Sequence, residues 1–211
     1  MKVIYTIIIT LAFILLIVIG GIRFCLTPFF IDLEYNSPHF PDDPYGFSKS
    51  LRTKYAYASV DYLLGKISTD EFSNLQLPNG NPLFNEREVS HMQDVRKLTQ
   101  LALHSWYGSM VVIFIGMFIA RPLQWWSIFL KAGRIAAITI FALIVLILCS
   151  VFLDFDQFFS AFHSLFFEGD SWLFYTNDSL IRLFPTQFWI NVFLCVGILS
   201  FLFALLLFYI C

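Results

Sequence analysis

Four long apolar runs, separated by polar segments, organise this chain. Each run has no charged side chain in its core, and each can cross about 30 Å of hydrocarbon as a helix that rises about 1.5 Å per residue. The pattern therefore predicts four membrane spans, at about 3–22, 105–121, 135–153 and 188–210. Two larger polar segments cover 24–104 and 154–187, and a short loop at 121–134 joins the second and third spans.

Turn and helix signals alternate in the longer polar segment. Prolines break residues 36–45, which we expect to be extended or turn-like. A helix is predicted over 48–64, and a hairpin over 75–84, because Asn-Gly is a strong two-residue turn signal. Asn85 then caps a further helix, with Glu88 at the capping-box position. This helix is predicted to run unbroken into the second span.

The shorter polar segment is unusually aromatic. Residues 156–167 are predicted to form a helix with phenylalanines on every side and no charge after Asp156. Such a helix is too apolar to be solvated, so we expect it on or in the outer leaflet of the membrane. Residues 172–185 are predicted to be a loop that leads into the fourth span.

The composition excludes a soluble enzyme. Hydrophobic residues make up 58% of the 211 residues and charged residues 13%, against about 45–50% and about 25% in soluble domains. The net charge of −2 carries no signature of nucleic-acid binding. The predicted fold class is an all-α membrane protein, a four-helix transmembrane bundle with a small, mostly helical extracytoplasmic cap, in one domain over 1–211.

Charge asymmetry predicts the orientation of the bundle. Basic residues without acidic partners flank the loop at 121–134, as Arg121, Lys131 and Arg134, and Lys2 precedes the first span. All 15 acidic residues lie in the two larger polar segments. Because Lys and Arg mark cytoplasmic loops, both termini are predicted to be cytoplasmic and both larger polar segments extracytoplasmic.

What the spans and the cap lack excludes one functional class and disfavours another. Cys25 is the only cysteine that the predicted topology brings to the outer face, so a thiol oxidase with paired outer cysteines is excluded. A transporter or channel needs polar or charged groups at mid-membrane, and the four spans carry none.

Two of the four histidines stand in distinctive surroundings. His163 lies in the aromatic helix, and it fits either an interfacial ring or an acid–base group held in a low-dielectric pocket. His91 shares one helix face with Glu88 and Asp94 at spacings of three, and it fits either a solvated side chain or a functional one. A zinc site formed by His91, Asp94 and His163 is an alternative with a poor ligand spacing, so we expect no metal and no cofactor.

The residues around these histidines resemble a known family. Its two characteristic stretches match residues 85–95, which contain His-Met-Gln-Asp-Val, and residues 159–167, which contain Phe-His-Ser-Leu-Phe-Phe. Trp172, residues 178–181 and residues 185–188 follow in the family's order. The chain is similar over nearly its whole length to the bacterial lipoprotein intramolecular transacylases, integral membrane enzymes that synthesise lyso-form lipoproteins.

This resemblance implies a reaction and a set of site residues. Such an enzyme moves the sn-2 acyl chain of an S-diacylglyceryl cysteine to the α-amine of the same cysteine. The implied partners are diacylated bacterial lipoproteins and membrane lipid, with no nucleic acid, and the implied location is the outer leaflet of the cell membrane. His91 and His163 carry over as catalytic. Candidate orienting or substrate-positioning residues are Glu88, Asp94, Trp172 and Asp178.

The reaction itself needs a base and an acid. The α-amine has an ordinary pKa of about 7.7–8.0, and the glyceryl alkoxide leaves poorly unless it is protonated. A histidine with a pKa near 6.5 can serve as either group, so general acid–base catalysis without a covalent acyl-enzyme is expected. The alternative is a non-enzymatic membrane binding or chaperone protein whose extracytoplasmic cap holds a partner.

Overall fold

The structure is a computed structural model that describes all 211 residues. Nine helices follow one another along the chain. They are α1 (Lys2–Cys25), α2 (Pro28–Asn36), α3 (Lys49–Leu63), α4 (Thr69–Ser73), α5 (Glu86–Ala120), α6 (Trp126–Leu153), α7 (Phe155–Phe166), α8 (Ser179–Leu183) and α9 (Thr186–Ile210). The only β pairing is an isolated antiparallel bridge between Gln76 and Pro82.

Helices α1, α5, α6 and α9 are each long and apolar enough to cross a membrane. They cover the four predicted spans, except that α5 ends at Ala120, one residue short of the second. The fold class predicted from the hydrophobic pattern is confirmed. Helix α6 begins at Trp126, upstream of the predicted span. Lys131 and Arg134 therefore lie on the first turns of this helix, and the connection from α5 is shorter than the predicted loop.

The chain divides into two compact units. The first comprises residues 1–24, 102–153 and 193–211. Small side chains let its helices approach closely, since Ala120, Ala132 and Ala136 are completely buried. Side chains also hydrogen-bond to backbone carbonyls between helices: the Tyr5 hydroxyl donates to Gly116 at 2.8 Å.

The second unit comprises residues 25–101 and 154–192, close to the predicted outer segments 24–104 and 154–187. Its core consists of aromatic and aliphatic side chains from α3, α4, α5 and α8 and from the loops that precede α3 and α5. The rings of Tyr62 and Phe72 stack at 4.2 Å, and those of Phe72 and Phe84 at 4.7 Å. None of the residues in this core belongs to the apolar runs that predict the spans.

Local signals locate most helix starts correctly. The Ser48 side chain caps α3, as the predicted helix over 48–64 requires. Asn85 and Glu88 form the predicted reciprocal cap of α5, with Asn85 N donating to Glu88 Oε2 at 2.8 Å and Glu88 N donating to Asn85 Oδ1 at 3.0 Å. The predicted hairpin is reduced to its single bridge, with Leu83 N donating to the Leu75 carbonyl at 2.8 Å.

Helices α2 and α8 lie outside the helices that the pattern predicts. Helix α2 begins at Pro28 with Thr27 as its cap. Helix α8 occupies residues 179–183, so the prediction of a loop throughout 172–185 is wrong there. Its N-cap residue, Asp178, makes no side-chain cap hydrogen bond to it. A carboxylate from α5 replaces the missing local cap, as described below, and a five-residue helix shows no hydrophobic period that could predict it.

The segment between α2 and α3 is irregular, as predicted for residues 36–45. An ion pair anchors it, with Arg182 Nη2 2.9 Å from Asp43 Oδ2, and the Asp43 side chain is completely buried. Phe47 N also donates to Asp43 at 2.6 Å. Burial alone would raise the pKa of Asp43, but the hydrogen bonds from Arg182 and Phe47 hold it below its usual range. This loop is therefore held against α8.

Candidate active site

His91 lies on the second turn of α5 and is buried, with only 7% of its surface exposed. The local cap at Asn85 sets where this helix begins, and the side chain of Met92, next in the chain, packs into the core of the second unit. A solvated side chain, one of the two interpretations open from sequence, does not describe it.

His163 lies on α7 and is buried to a similar extent, with 8% exposed. Its Nδ1 is 2.8 Å from the backbone carbonyl of Phe159, one turn earlier in the helix. A carbonyl can only accept, so Nδ1 must carry the proton. In the neutral ring, Nε2 is then left with a free lone pair.

The two histidine rings face each other inside a set of aromatic side chains. Their centroids are 6.2 Å apart, and their planes differ by 23°. Five rings surround the pair, which we call the aromatic cage: Phe159, Phe162, Phe167, Trp172 and Phe174. The Phe167 ring contacts both histidines, at 4.9 Å from His91 and 5.6 Å from His163.

Burial in the cage keeps both histidines neutral near pH 7. Desolvation, and then the proximity of His163, lower the pKa of His91 to about 4, although Asp94 opposes the shift. Desolvation also lowers the pKa of His163, against the opposing effect of the hydrogen bond to Phe159. A neutral imidazole can accept a proton at one ring nitrogen and donate a hydrogen bond from the other.

Two polar atoms at the cage are buried without a hydrogen-bond partner. They are His91 Nδ1 and the indole Nε1 of Trp172. A buried polar group left unpaired costs about 1–3 kcal/mol, and such groups in native structures need an explanation. A bound substrate that presents both a hydrogen-bond donor and an acceptor would supply one.

Glu88 stabilises the start of α5 and the start of α8 together. It is 1% exposed, and its Oε1 accepts from Leu180 N at 2.7 Å while its Oε2 accepts from Asn85 N. Burial raises the pKa of Glu88, although hydrogen bonds from the Asn85, Leu180 and Ser179 backbone oppose this shift. Glu88 makes no hydrogen bond to His91, so its contribution is to hold two helices in register.

Asp178 lies beside Glu88 and organises the loop before α8. Asn85 Nδ2 donates to its Oδ1 at 3.1 Å, and Tyr175 N donates to its Oδ2 at 2.8 Å. Arg87 is 3.6 Å from the same carboxylate and lies over the Phe174 ring. Asp178 therefore fixes the segment that carries Phe174 without touching either histidine.

Asp94 is directed away from the histidine pair. Its carboxylate pairs with Lys97 at 2.9 Å and is exposed to solvent. It influences His91 through charge alone. No group of three or more His, Cys, Asp and Glu side chains is arranged to hold a metal ion.

Sequence reasoning did not single out Phe167 and Phe174 as site residues. Phe159, His163 and Phe167 are spaced by four, which is a helical signal that could have placed Phe167 beside His163. Phe174 lies in an irregular loop, where no periodicity exists to reveal it.

The fold and this site define the chain as a polytopic α-helical membrane protein with a buried histidine pair among aromatic rings. Residues 3–189 match the family model described as lipoprotein intramolecular transacylase Lit. The chain therefore belongs to the lipoprotein intramolecular transacylase family and is an enzyme that acts on lipoproteins. This finding favours catalysis over the non-enzymatic binding protein kept as the alternative.

Individual proteins are similar to this chain over most of its length. An uncharacterized protein of Aquifex aeolicus is 32% identical over 184 residues, which are 87% of this chain and 82% of the relative. The in meso structure of the lipoprotein intramolecular transacylase of Bacillus cereus matches with a TM-score of 0.80 at 17% identity, covering 100% of this chain and 94% of that one. A histidine-to-arginine variant of the same protein matches with a TM-score of 0.70 at 19% identity, covering 100% and 90%. These structural likenesses show a shared fold.

Proposed function

We propose that this enzyme moves the sn-2 acyl chain of an S-diacylglyceryl cysteine to the α-amine of the same cysteine, with His91 and His163 as its catalytic residues. The product is an N-acyl, S-monoacylglyceryl lipoprotein. The observation that carries the proposal is the buried pair of neutral histidines, of which one can offer a lone pair and the other an N–H to a substrate. The aromatic cage around them suits an acyl chain.

His163 is the base in this reaction. Its Nδ1 proton is committed to the Phe159 carbonyl, so Nε2 offers its lone pair to the α-amine. The amine nitrogen attacks the ester carbonyl carbon, the new C–N bond forms, and the amine proton passes to His163 Nε2. The same proton then goes to the glyceryl oxygen as the C–O bond breaks, so that protons balance and His163 returns to its neutral form.

His91 has the opposite arrangement of its proton. Its Nδ1 is buried without a partner, and an unpaired acceptor is tolerated better than an unpaired N–H. We therefore assign the proton to Nε2, from which it donates a hydrogen bond to the departing glyceryl oxygen. Neutral His91 stabilises the alkoxide in this way, and His163 supplies the transferred proton.

No covalent acyl-enzyme is needed. Both reacting groups belong to one substrate molecule, and well-oriented intramolecular attack can supply about 7–11 kcal/mol of the barrier. The described contacts of the histidine pair are with aromatic rings and one backbone carbonyl, not with a serine or cysteine that could act as nucleophile.

We further propose that the site faces the outer leaflet and that both termini are cytoplasmic. The support is the charge distribution along the sequence: the acidic residues all lie in the two larger polar segments, and unpaired basic residues flank the connection between α5 and α6. Diacylated lipoproteins are anchored at that surface by their own acyl chains.

The test uses purified protein in detergent with a diacylglyceryl lipopeptide that has a free α-amine. The product is an isomer of the substrate and has the same mass, so tandem mass spectrometry must locate the acyl group on the nitrogen. A lipopeptide with an acetylated α-amine is the matched control and should not react. Absence of the N-acyl product from wild-type protein would refute the proposed function.

Variants then test the residue roles. His91→Gln and His163→Gln should each lose most activity while the protein stays folded, with His163→Gln the more severe because it removes the base. His39→Gln is the control, because His39 is exposed in the irregular loop before α3. Near-wild-type turnover by the His91 or the His163 variant would remove that histidine from the mechanism.

A further inference from the structure

We propose that the indole N–H of Trp172 donates a hydrogen bond to the carbonyl oxygen of the scissile sn-2 ester and stabilises the oxyanion that forms there. This inference rests on the proposed transacylation. It makes Trp172 a catalytic residue that contacts the reacting ester, in addition to its ring contact with His163.

The first observation is the unpaired donor itself. Trp172 Nε1 is buried and has no hydrogen-bond partner. An indole nitrogen can only donate, and no protein atom accepts its proton. Buried N–H groups without a partner are rarer than unpaired acceptors, so this one needs an explanation. An acceptor atom on the bound substrate provides it.

Other polar tips on aromatic rings in this chain do find partners. Trp106 Nε1 donates to the Leu16 carbonyl at 3.0 Å. The hydroxyls of Tyr35 and Tyr55 donate to the carbonyls of Leu183 and Gln76 at 2.5 and 2.6 Å. The unpaired N–H of Trp172 is therefore an exception to how this fold treats its aromatic residues.

The second observation is the location of the donor. The rings of Trp172 and His163 are 4.9 Å apart with 34° between their planes, so the indole lies directly against the proposed base. The two remaining unpaired buried atoms, Arg52 Nε and Ser200 Oγ, belong to residues that have no ring contact with either histidine. The unpaired Trp172 donor and the unpaired His91 Nδ1 are thus both at the reaction site.

The chemistry leaves one role open that this donor fills. When the amine attacks, the carbonyl π electrons move to the carbonyl oxygen, which becomes an oxyanion. His163 acts first at the amine and then, together with His91, at the glyceryl oxygen, so neither histidine is assigned to the carbonyl oxygen. On collapse the electrons return to re-form the carbonyl and the glyceryl oxygen leaves with the proton. A donor aimed at the developing charge in a water-poor site is the usual stabiliser of such an intermediate.

Trp172→Phe tests the inference by removing the N–H while keeping an aromatic ring. We expect kcat to fall about 100-fold, the scale measured for removal of one oxyanion donor. KM should stay within about threefold, because the donor acts mainly in the transition state. Trp189→Phe is the matched control: its ring contacts Phe159 at 5.9 Å, and its nitrogen is not among the buried unpaired atoms. It should change kcat by less than about threefold.

A second replacement separates the N–H from the shape of the ring. Incorporation of 3-benzothienylalanine at position 172 puts sulfur in place of N–H in a ring of nearly the same size, so contact with His163 is kept. The same loss of kcat is expected. The protein with 3-benzothienylalanine at position 172 also tests the role of the N–H if Trp172→Phe fails to fold.

The outcomes distinguish this inference from the function on which it rests. If wild-type protein produces no N-acyl lipopeptide, the proposed function fails. If wild-type protein is active and His163→Gln is not, while the benzothienylalanine protein keeps a kcat within about threefold of wild type, only the oxyanion role fails. A loss confined to KM would also overturn it, since it would indicate ground-state binding alone.

Discussion

Glu88 offers a direct test of how the cage is held together, because a single-atom change disrupts one of its bonds. In Glu88→Gln, one carboxylate oxygen becomes an NH2 group. The two oxygens accept from Leu180 N and Asn85 N at 2.7 and 2.8 Å, so one of these backbone donors must then face another donor. A hydrogen bond to a charged group is worth about 1.5–3 kcal/mol, and an unpaired buried N–H costs about 1–3 kcal/mol.

The expected loss of stability from Glu88→Gln is therefore about 3 kcal/mol. At about 2–4 °C per kcal/mol, thermal unfolding in detergent should show Tm lowered by roughly 6–12 °C. Activity should also fall, by about tenfold or more, because Glu88 ties the helix that carries His91 to α8, which directly follows the loop that carries Phe174. Glu86→Gln is the control, because Glu86 lies in the same helical turn but is exposed. If Glu88→Gln keeps the wild-type Tm and rate, the carboxylate does not hold the two helices together.

Three further predictions follow from the site and the topology. The pKa of His91 falls from 6.5 to about 4 on folding, so its contribution to stability is complete above about pH 6.5 and is lost towards pH 4. The loss is about 3 kcal/mol, and His91→Gln should remove this part of the pH dependence of Tm. Transacylation should survive prolonged EDTA treatment, since the two histidines have no third metal ligand beside them. Loss of activity in EDTA that is reversed by added zinc would contradict this. In a cysteine-free background, Ser90→Cys and Ser164→Cys should react with an impermeant maleimide on intact protoplasts, whereas Ser127→Cys should react only after permeabilisation. The reverse pattern would invert the proposed topology.

Much of the fold could be predicted because its signals are local. The four spans follow from uninterrupted apolar runs, and the start of α5 follows from the Asn85–Glu88 pair. Helix α8 shows the limit of this reasoning. Its first N–H groups are satisfied by Glu88, which is 92 residues away in sequence. No local pattern can reveal a cap supplied by another helix.

The candidate site was predictable to a similar extent. The two histidines stand in motifs that can be recognised from the neighbouring residues in the sequence. The phenylalanines around His163 recur at helical spacing. The burial of His91 was not predictable, because it depends on Phe167 and Phe174, which pack against its ring from another part of the chain. The same packing lowers the pKa of His91. The sequence alone gives only the ordinary histidine pKa near 6.5.

The lowered pKa values lead to a specific expectation for the rate. With histidines of ordinary pKa, the rate would fall as pH drops through about 6–7. In the cage, burial lowers the pKa of His91 to about 4 and also lowers that of His163, so the group that gains a proton first is the substrate α-amine, at about 7.7–8.0. A plot of log kcat/KM should therefore rise with a slope of one from about pH 6.5 to 7.5 and level off near pH 8. A lipopeptide whose α-amine has a lower pKa should show its inflection at a correspondingly lower pH. An inflection near pH 6.5 that does not move with the substrate would mean that an ordinary, solvated histidine limits the reaction, and would contradict the neutral pair on which the mechanism rests.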